Sequence, residues 1–187
     1  MNIYYTTSAG KDQLQPKTTA SLGGYKASNT VKNDDFDNVF GEISAYTLNQ
    51  NRDQYIALVL KNDLPTTATN VQIWIEREAV TPYCNFEVAA VQMSDDVEGI
   101  KAMERTRDIF SRPYYADFQV LDVGNKGSLG NIDSEGEIGI WIKRSLDLDT
   151  VKQSQDNLYK TSPDNPKRVT AIDREEIEKF KVQVSWD

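Results

Sequence analysis

The chain has 187 residues, 39% hydrophobic and 27% charged, with a formal net charge of −8, which predicts a soluble globular protein that binds neither nucleic acid nor an anionic membrane surface. It contains no histidine and a single cysteine, Cys84, which excludes histidine-based catalytic triads, an internal disulfide and a cysteine-built zinc site. Its longest apolar run is far shorter than the ~20 residues needed to cross a bilayer, and its N-terminus lacks the pattern of a secretory signal.

Residues 1–34 are rich in Ser, Thr, Gly, Lys, Gln and Asn, and their apolar residues are sparse. Such a segment buries too little surface to order itself alone. We therefore expect an extended N-terminal arm, which is a flexible terminus, packs at an edge, or orders on a neighbouring subunit. The Gly pair in the stretch Ser-Leu-Gly-Gly-Tyr permits a positive-φ turn or a close backbone contact. Leu22 and Tyr25 of this stretch are candidate contact residues.

Several later stretches show the period-two or continuous apolar pattern of β-strands. Two of them are near copies, residues 71–77 and 137–144, which place three β-branched residues on one face and one Trp on an otherwise polar face. Gln54 to Lys61 is a continuous apolar run, as expected of a central strand. The predicted strands are residues 54–61, 71–77, 85–93, 114–121, 137–144 and 180–186.

The connections are polar and carry few helix signals. An i, i+3, i+4, i+7 apolar pattern between residues 36 and 43 predicts a short helix or turn, followed by a helical turn at 45–49. The acidic residues from Asp35 onward fail the calcium-loop pattern, because oxygen ligands are missing at the fifth and twelfth positions. Residues 94–113 fit either a short helix or a long inter-strand loop, and residues 172–179 fit one or two helical turns.

Residues 124–130 form a glycine-rich stretch that we predict as a loop. A phosphate-binding loop requires a helix after it, and here a strand follows. We therefore expect no nucleotide at this loop. No other stretch predicts a cofactor, a metal ion or a catalytic residue, and Cys84 is interpreted as a buried structural thiol.

Together these elements predict an all-β fold, an antiparallel immunoglobulin-like β-sandwich with an extended N-terminal arm and one or two short helices. In this interpretation the arm covers residues 1–34. A single sandwich domain covers residues 35–187, with insertions at about 94–113 and 145–177.

Five stretches follow one another along the chain: residues 21–28 (Ser-Leu-Gly-Gly-Tyr-Lys-Ala-Ser), 38–44, 55–62, 69–75 and 139–144 (Gly-Ile-Trp-Ile-Lys-Arg). Their order resembles that in a group of virion structural proteins of tailed bacteriophages. The resemblance implies a non-enzymatic component of the neck or tail, such as a ring or connector-associated protein, made in the host cytoplasm and located in the virion. It implies other virion proteins and copies of the same chain as partners, in a homo-oligomeric ring or array, and no catalytic residues. The chain departs from the pattern at 95–112 and after residue 146.

Trp74, Trp141, Tyr114 and Tyr115 are the candidate contact residues of the sandwich, because Trp and Tyr are enriched at interface hot spots. The alternative is that the chain's own insertions cover both tryptophans. With exposed tryptophans, Trp141→Ala is predicted to weaken assembly more than folding.

Three other functions remain as alternatives. Exposed aromatics beside Asp and Asn side chains also suit a glycan-binding module, and a glycan is then the partner. A capsid-surface decoration protein fits the same features. A carboxylate-based glycosidase needs two acids about 5–10 Å apart across a cleft, and nothing in the sequence selects such a pair.

Overall fold

The computed structural model describes residues 1–32, 39–40, 52–77, 84–147 and 180–187. Within these ranges the chain is all-β, with one 3₁₀ turn at Thr18–Ala20 and no α-helix. The strands in chain order are β1 (Asn2–Thr7), β2 (Tyr25–Thr30), β3 (Gln54–Lys61), β4 (Ala68–Arg77), β5 (Cys84–Val91), β6 (Ser94–Asp95), β7 (Lys101–Ala102), β8 (Gly127–Ile132), β9 (Glu137–Leu146) and β10 (Phe180–Ser185).

The strands form two antiparallel sheets that pack face to face, which confirms the predicted all-β sandwich. The first sheet has five strands in the order β2-β1-β3-β9-β5, and the second has three in the order β10-β4-β8. Strands β6 and β7 form a separate two-residue hairpin. The main core lies between the sheets and contains residues of both, including Ile56, Leu58, Ile73 and Ile140, all at most 1% exposed.

The strand patterns explain this arrangement. Strand β3 pairs with β9 over its full length, from Gln54 opposite Arg144 to Lys61 opposite Glu137. The alternating Ile residues of β9 and of β4 face the core, as period-two side chains do. Strand β3 is buried along both faces except at Lys61, because the five-stranded sheet is covered on both sides.

The N-terminal segment packs at the edge of the five-stranded sheet, which is one of the alternatives that the sequence leaves open. Residues 1–32 are extended, but they are part of the sandwich. Strand β1 pairs with β3, and β2 pairs with β1 at the edge of the five-stranded sheet. The few apolar side chains of the segment suffice because Tyr5 and Ala27 are buried in the core, while the other side buries hydrogen-bonded polar side chains such as Thr6.

Residues 92–118, which we name the cover segment, contain the long loop considered for 94–113. The short helix considered as the alternative is wrong, since the β6–β7 hairpin and a loop occupy this stretch. The strand predicted at 114–121 is also wrong. Here the chain passes from one sheet to the other: Gln119 exchanges backbone hydrogen bonds with Val88 of β5, and the Ile75 N–H of β4 donates to Leu121.

The predicted glycine loop at 124–130 is partly an edge strand, because β8 begins at Gly127. A Cβ at Gly127 would lie 2.5 Å from the Leu121 side chain, so this glycine allows the close approach that strand glycines often mark. The predicted helical turns at 36–43, 45–49 and 172–179 lie outside the described residues, apart from Val39 and Phe40. The insertion at 145–177 lies outside them after residue 147.

Candidate functional site

Gly23 and Gly24, which we name the glycine seat, lie against the backbone of the cover segment and bind it. Gly24 exchanges two backbone hydrogen bonds with Met103, of 2.8 and 3.2 Å, and the Thr106 N–H donates to the Leu22 carbonyl at 2.9 Å. Gly23 and Gly24 have φ of +91° and +92°. A Cβ at Gly23 would lie 1.8 Å from the Glu104 carbonyl oxygen, so the contact requires glycine.

The seated cover segment buries Trp141. This side chain is 0% exposed and belongs to a second apolar cluster on the outer face of the five-stranded sheet. On the strands, Ala57 and Ala89 lie opposite Trp141 and leave room for the indole. The cluster is completed by Tyr55, Val59, Met93, Met103 and Ala116. The prediction of an exposed Trp141 is therefore wrong, because the chain's own insertion covers it.

A polar group borders this cluster. The Lys143 ammonium lies 2.6 Å from Glu87 and 3.3 Å from Asp53, and the Tyr55 hydroxyl donates to Asp53 at 3.3 Å. Burial first, and then the Asp53 charge, raise the pKa of Tyr55. These carboxylates are bound by a lysine within the fold.

Leu22 and Tyr25 also make their contacts within the chain. Leu22 is half-buried at the glycine seat, and the Tyr25 hydroxyl donates to Asp96 at 2.7 Å. This hydrogen bond raises the pKa of Tyr25. The pKa of Asp96 is lowered by the backbone N–H of Ile100 and then by Tyr25. Within a single chain, Leu22 and Tyr25 therefore bind the cover segment.

Tyr114 and Tyr115 are the predicted contact residues that the structure leaves exposed, at 84% and 78%. Their rings meet edge to face with centroids 4.9 Å apart. The Glu104 carboxylate accepts the backbone N–H of Tyr114 at 2.8 Å and that of Tyr115 at 3.1 Å. Because Glu104 follows the seated Met103, the two rings are held in a fixed turn on the cover segment.

Trp74 lies apart from these residues, on the outer face of the three-stranded sheet. It is half-buried, and the Lys126 ammonium lies 4.1 Å from its ring centroid. Gln183 is its neighbour on β10 and donates to Glu76 at 2.8 Å. The two tryptophans therefore belong to opposite sides of the sandwich and form no common site.

Four arginines near the tyrosines were not predicted as functional, because Glu104 and Asp108 interrupt the basic stretch that carries three of them. All four are exposed: Arg52, Arg105, Arg107 and Arg112. Arg52 stacks on Phe110 at 5.0 Å, and Arg112 lies 5.8 Å from the Phe118 ring. The sequence signal that could have identified them is the occurrence of several arginines close to Tyr114 in a chain that is acidic overall.

The groups that could support catalysis are few in the described part of the chain. Cys84 is buried, and burial raises the pKa of its thiol to about 11, so it is a poor nucleophile at neutral pH. A groove of about 800 Å³ separates β10 from the edge formed by β1 and β2. Its described lining has Lys32 and Lys181 but no Asp or Glu. Among the described residues no group of three His, Cys, Asp or Glu is placed to hold a metal ion.

No protein-family model, curated protein or solved structure matches the chain. Among the helices of the described ranges, none has the length and apolar character to cross a membrane.

Proposed function

We propose that the chain is a non-enzymatic structural component of a tailed bacteriophage particle, part of a neck or tail ring, and that it assembles through exposed aromatic residues. The observation that supports this proposal best is the Tyr114–Tyr115 pair. Two large rings, 84% and 78% exposed, are displayed on a turn whose backbone is fixed by Glu104.

A fixed aromatic pair suits binding to another protein. Tyr supplies a large contact area while only two side-chain torsions need to be ordered. Because the Glu104 carboxylate already holds the turn, little further conformational entropy is lost on association. Tyr is also among the residues that dominate interface energetics.

The proposed location in a phage particle rests on the five stretches whose order along the chain resembles that in phage virion proteins. The first of them, residues 21–28, contains the glycine seat, and the last, residues 139–144, contains Trp141 beneath the cover segment. These stretches therefore build the layer that carries the tyrosine pair. The buried Cys84 thiol and the groove without carboxylates in its described lining fit a structural role.

Quantitative peptide mass spectrometry on purified particles of a phage that encodes this chain tests the proposal. We expect a fixed copy number of ring size, whereas hundreds of copies would indicate capsid decoration. Absence of the chain from the particle would overturn the proposal.

The tyrosine pair is tested in the same particles. Because hot-spot residues contribute about 2 kcal/mol or more each, Tyr114→Ser with Tyr115→Ser should lower incorporation more than about tenfold. Val97→Ser is the control, since Val97 is fully exposed on the β6–β7 hairpin. Equal incorporation of the two variants would rule out the tyrosines as the contact.

A glycan-binding module is the second candidate, and the Trp74 face supports it. A half-buried indole stands there beside the side chains of Gln72, Glu76 and Gln183 on an open sheet. Such a face can stack on a sugar ring and bond its hydroxyls. Binding on a glycan array that Trp74→Ala abolishes would support this candidate, and absence of binding by the wild type would remove it.

A further inference from the structure

We infer that the chain associates head to tail with copies of itself, the exposed arginines and tyrosines of one copy contacting an acidic surface at the opposite end of the next. The inference rests on self-assembly as proposed above and does not depend on the phage particle. It names the partner surface that the tyrosine pair contacts.

The first surface is the arginine end, which we define as Arg52, Arg105, Arg107 and Arg112 together with Tyr114 and Tyr115. In the described part of the chain no carboxylate lies within salt-bridge distance, 4.0 Å, of any of these guanidiniums.

The acids near this end are mostly engaged in other contacts. Asp53 binds Lys143, Glu104 accepts the tyrosine N–H groups, and Asp108 accepts Ser111 and the Phe110 N–H. These hydrogen bonds lower the pKa of Asp108, with the charges of Arg52 and Arg107 adding to the effect. Asp117 is exposed on the same side. Within the described ranges, these guanidiniums therefore have no carboxylate partner in the chain, which suits them to carboxylates of a neighbouring copy.

The second surface is the acidic end, defined as Asp63, Asp133, Glu135 and Glu137. The Asn62 N–H donates to Gly136, and the Glu135 N–H donates to Asn62, so the two loops that carry these acids are joined. Asp63, Asp133 and Glu135 are exposed, and Glu137 is half-buried. Lys61 lies 2.6 Å from Glu135 and 3.4 Å from Asp63, which leaves an excess of negative charge.

The two surfaces lie at opposite ends of β3. At its first residues, the Tyr55 N–H donates to Ile109 at 2.7 Å and Arg52 contacts Phe110. At its last residue, Lys61 pairs with Glu137. A strand rises about 3.3 Å per residue, so the eight residues of β3 separate the two ends by roughly 23 Å. Each surface can therefore engage a different neighbour.

Charge favours this pairing. Residues 101–112 contain four basic and two acidic side chains, whereas the whole chain carries a net charge of −8. Arginine forks match carboxylates in two-point hydrogen bonds, and Tyr and Arg are enriched at interface hot spots. A contact between two different surfaces is heterologous, and it generates a ring when the rotation closes and a filament when it does not.

Sedimentation velocity of the full-length protein over a concentration series tests the inference. We expect the wild type to associate, and to do so less as salt rises from about 0.05 M to about 0.5 M. Arg107→Glu with Arg112→Glu, or Asp133→Lys with Glu135→Lys, should each weaken association at least about tenfold. The control for the arginine variant is Lys11→Glu with Lys17→Glu, an equal charge change at exposed lysines of the N-terminal segment. The control for the acidic variant is Glu98→Lys on the β6–β7 hairpin.

Mixing the two charge-reversed variants tests whether the contact is head to tail. Each variant keeps one intact end, so an equimolar mixture should form a complex although each variant alone stays monomeric. Thermal melting checks that both variants are folded. A monomeric wild type, a variant that associates like the wild type, or a mixture without a complex would each overturn the inference. A ring-sized copy number in particles would still support the proposed function in these cases.

Discussion

Trp141 and Trp74 occupy matching positions in two strands of nearly the same sequence, on the outer faces of the two sheets. Trp141 is 0% exposed beneath the cover segment, whereas Trp74 is half-buried, with the Lys126 ammonium 4.1 Å from its ring centroid. The difference arises from residues distant in sequence, the glycine seat at Gly23 and Gly24 and the cover segment that it holds. A strand pattern therefore identifies two faces of a sheet but not the layer that packs on the outer one.

Replacing each tryptophan by alanine measures this difference and should give the largest effect. Trp141→Ala should lower the free energy of unfolding by about 3–5 kcal/mol, the usual cost of emptying a core aromatic site. Trp74→Ala should lower it by only about 1–2 kcal/mol, since the half-buried indole gives up part of the burial energy of a core side chain and a cation–π contact of about 0.5–1 kcal/mol. Urea denaturation of both variants is the measurement, and equal losses would contradict the assignment of one covered and one open face. Folding, rather than assembly, is thus the property that Trp141→Ala should affect first.

The seat is tested by Gly23→Ala. The added Cβ would lie 1.8 Å from the Glu104 carbonyl oxygen at a φ of +91°, so we expect a loss of about 2–4 kcal/mol from overpacking and backbone strain. We also expect faster hydrogen exchange at the Met103 and Thr106 amides, which bond to the seat.

Gly99→Ala is the matched control for the seat. Gly99 also has positive φ, +75°, but its Cβ would meet no atom within 4 Å. Gly99→Ala should therefore lower the free energy of unfolding only through backbone strain, by about 1–2 kcal/mol. The Met103 and Thr106 amides should stay protected from exchange. Equal exchange in the two variants would show that the seat does not hold the cover segment.

The covered face should also respond to alkaline pH, with the smallest effect. The pKa of Tyr55 is raised, mainly by burial, so the folded state retains this proton more tightly than the unfolded state does. The contribution of Tyr55 to stability is present below its ordinary pKa of 10.0 and is lost as pH rises through its folded value. Tyr55→Phe should therefore lose less stability than the wild type above pH 10. Parallel pH curves would contradict this assignment.

Much of the fold could be predicted from the sequence. The bounds of β3 match the apolar run from Gln54 to Lys61, and the alternating patterns of β4, β9 and β10 place them correctly as antiparallel strands. Strands β1 and β2 were not predicted, because buried polar side chains such as Thr6 and Lys26 interrupt the apolar pattern that marks a strand. The segment from Tyr114 to Leu121 has strand-like residues, but it bonds to both sheets and belongs to neither.

The candidate site was predicted only in part. Tyr114 and Tyr115 are exposed as expected, whereas Trp141, Leu22 and Tyr25 make contacts within the chain. One signal was available: β3 is apolar on both faces, which is typical of a strand covered on both sides. The partner of each covered face lies far away in sequence, so periodicity within one strand could not identify it. The arginine end depends on the meeting of Arg52 with residues 105–112, which the fold alone determines.

The glycine seat has a consequence for the order of folding. It joins residues 21–24 to residues 103–106, about 80 positions apart, and contacts of such long sequence separation form slowly because a large loop must close first. The Tyr114–Tyr115 turn depends on Glu104, next to this late contact. The turn is therefore completed only when both ends of the long loop have come together, so we expect the proposed contact surface to form late in folding.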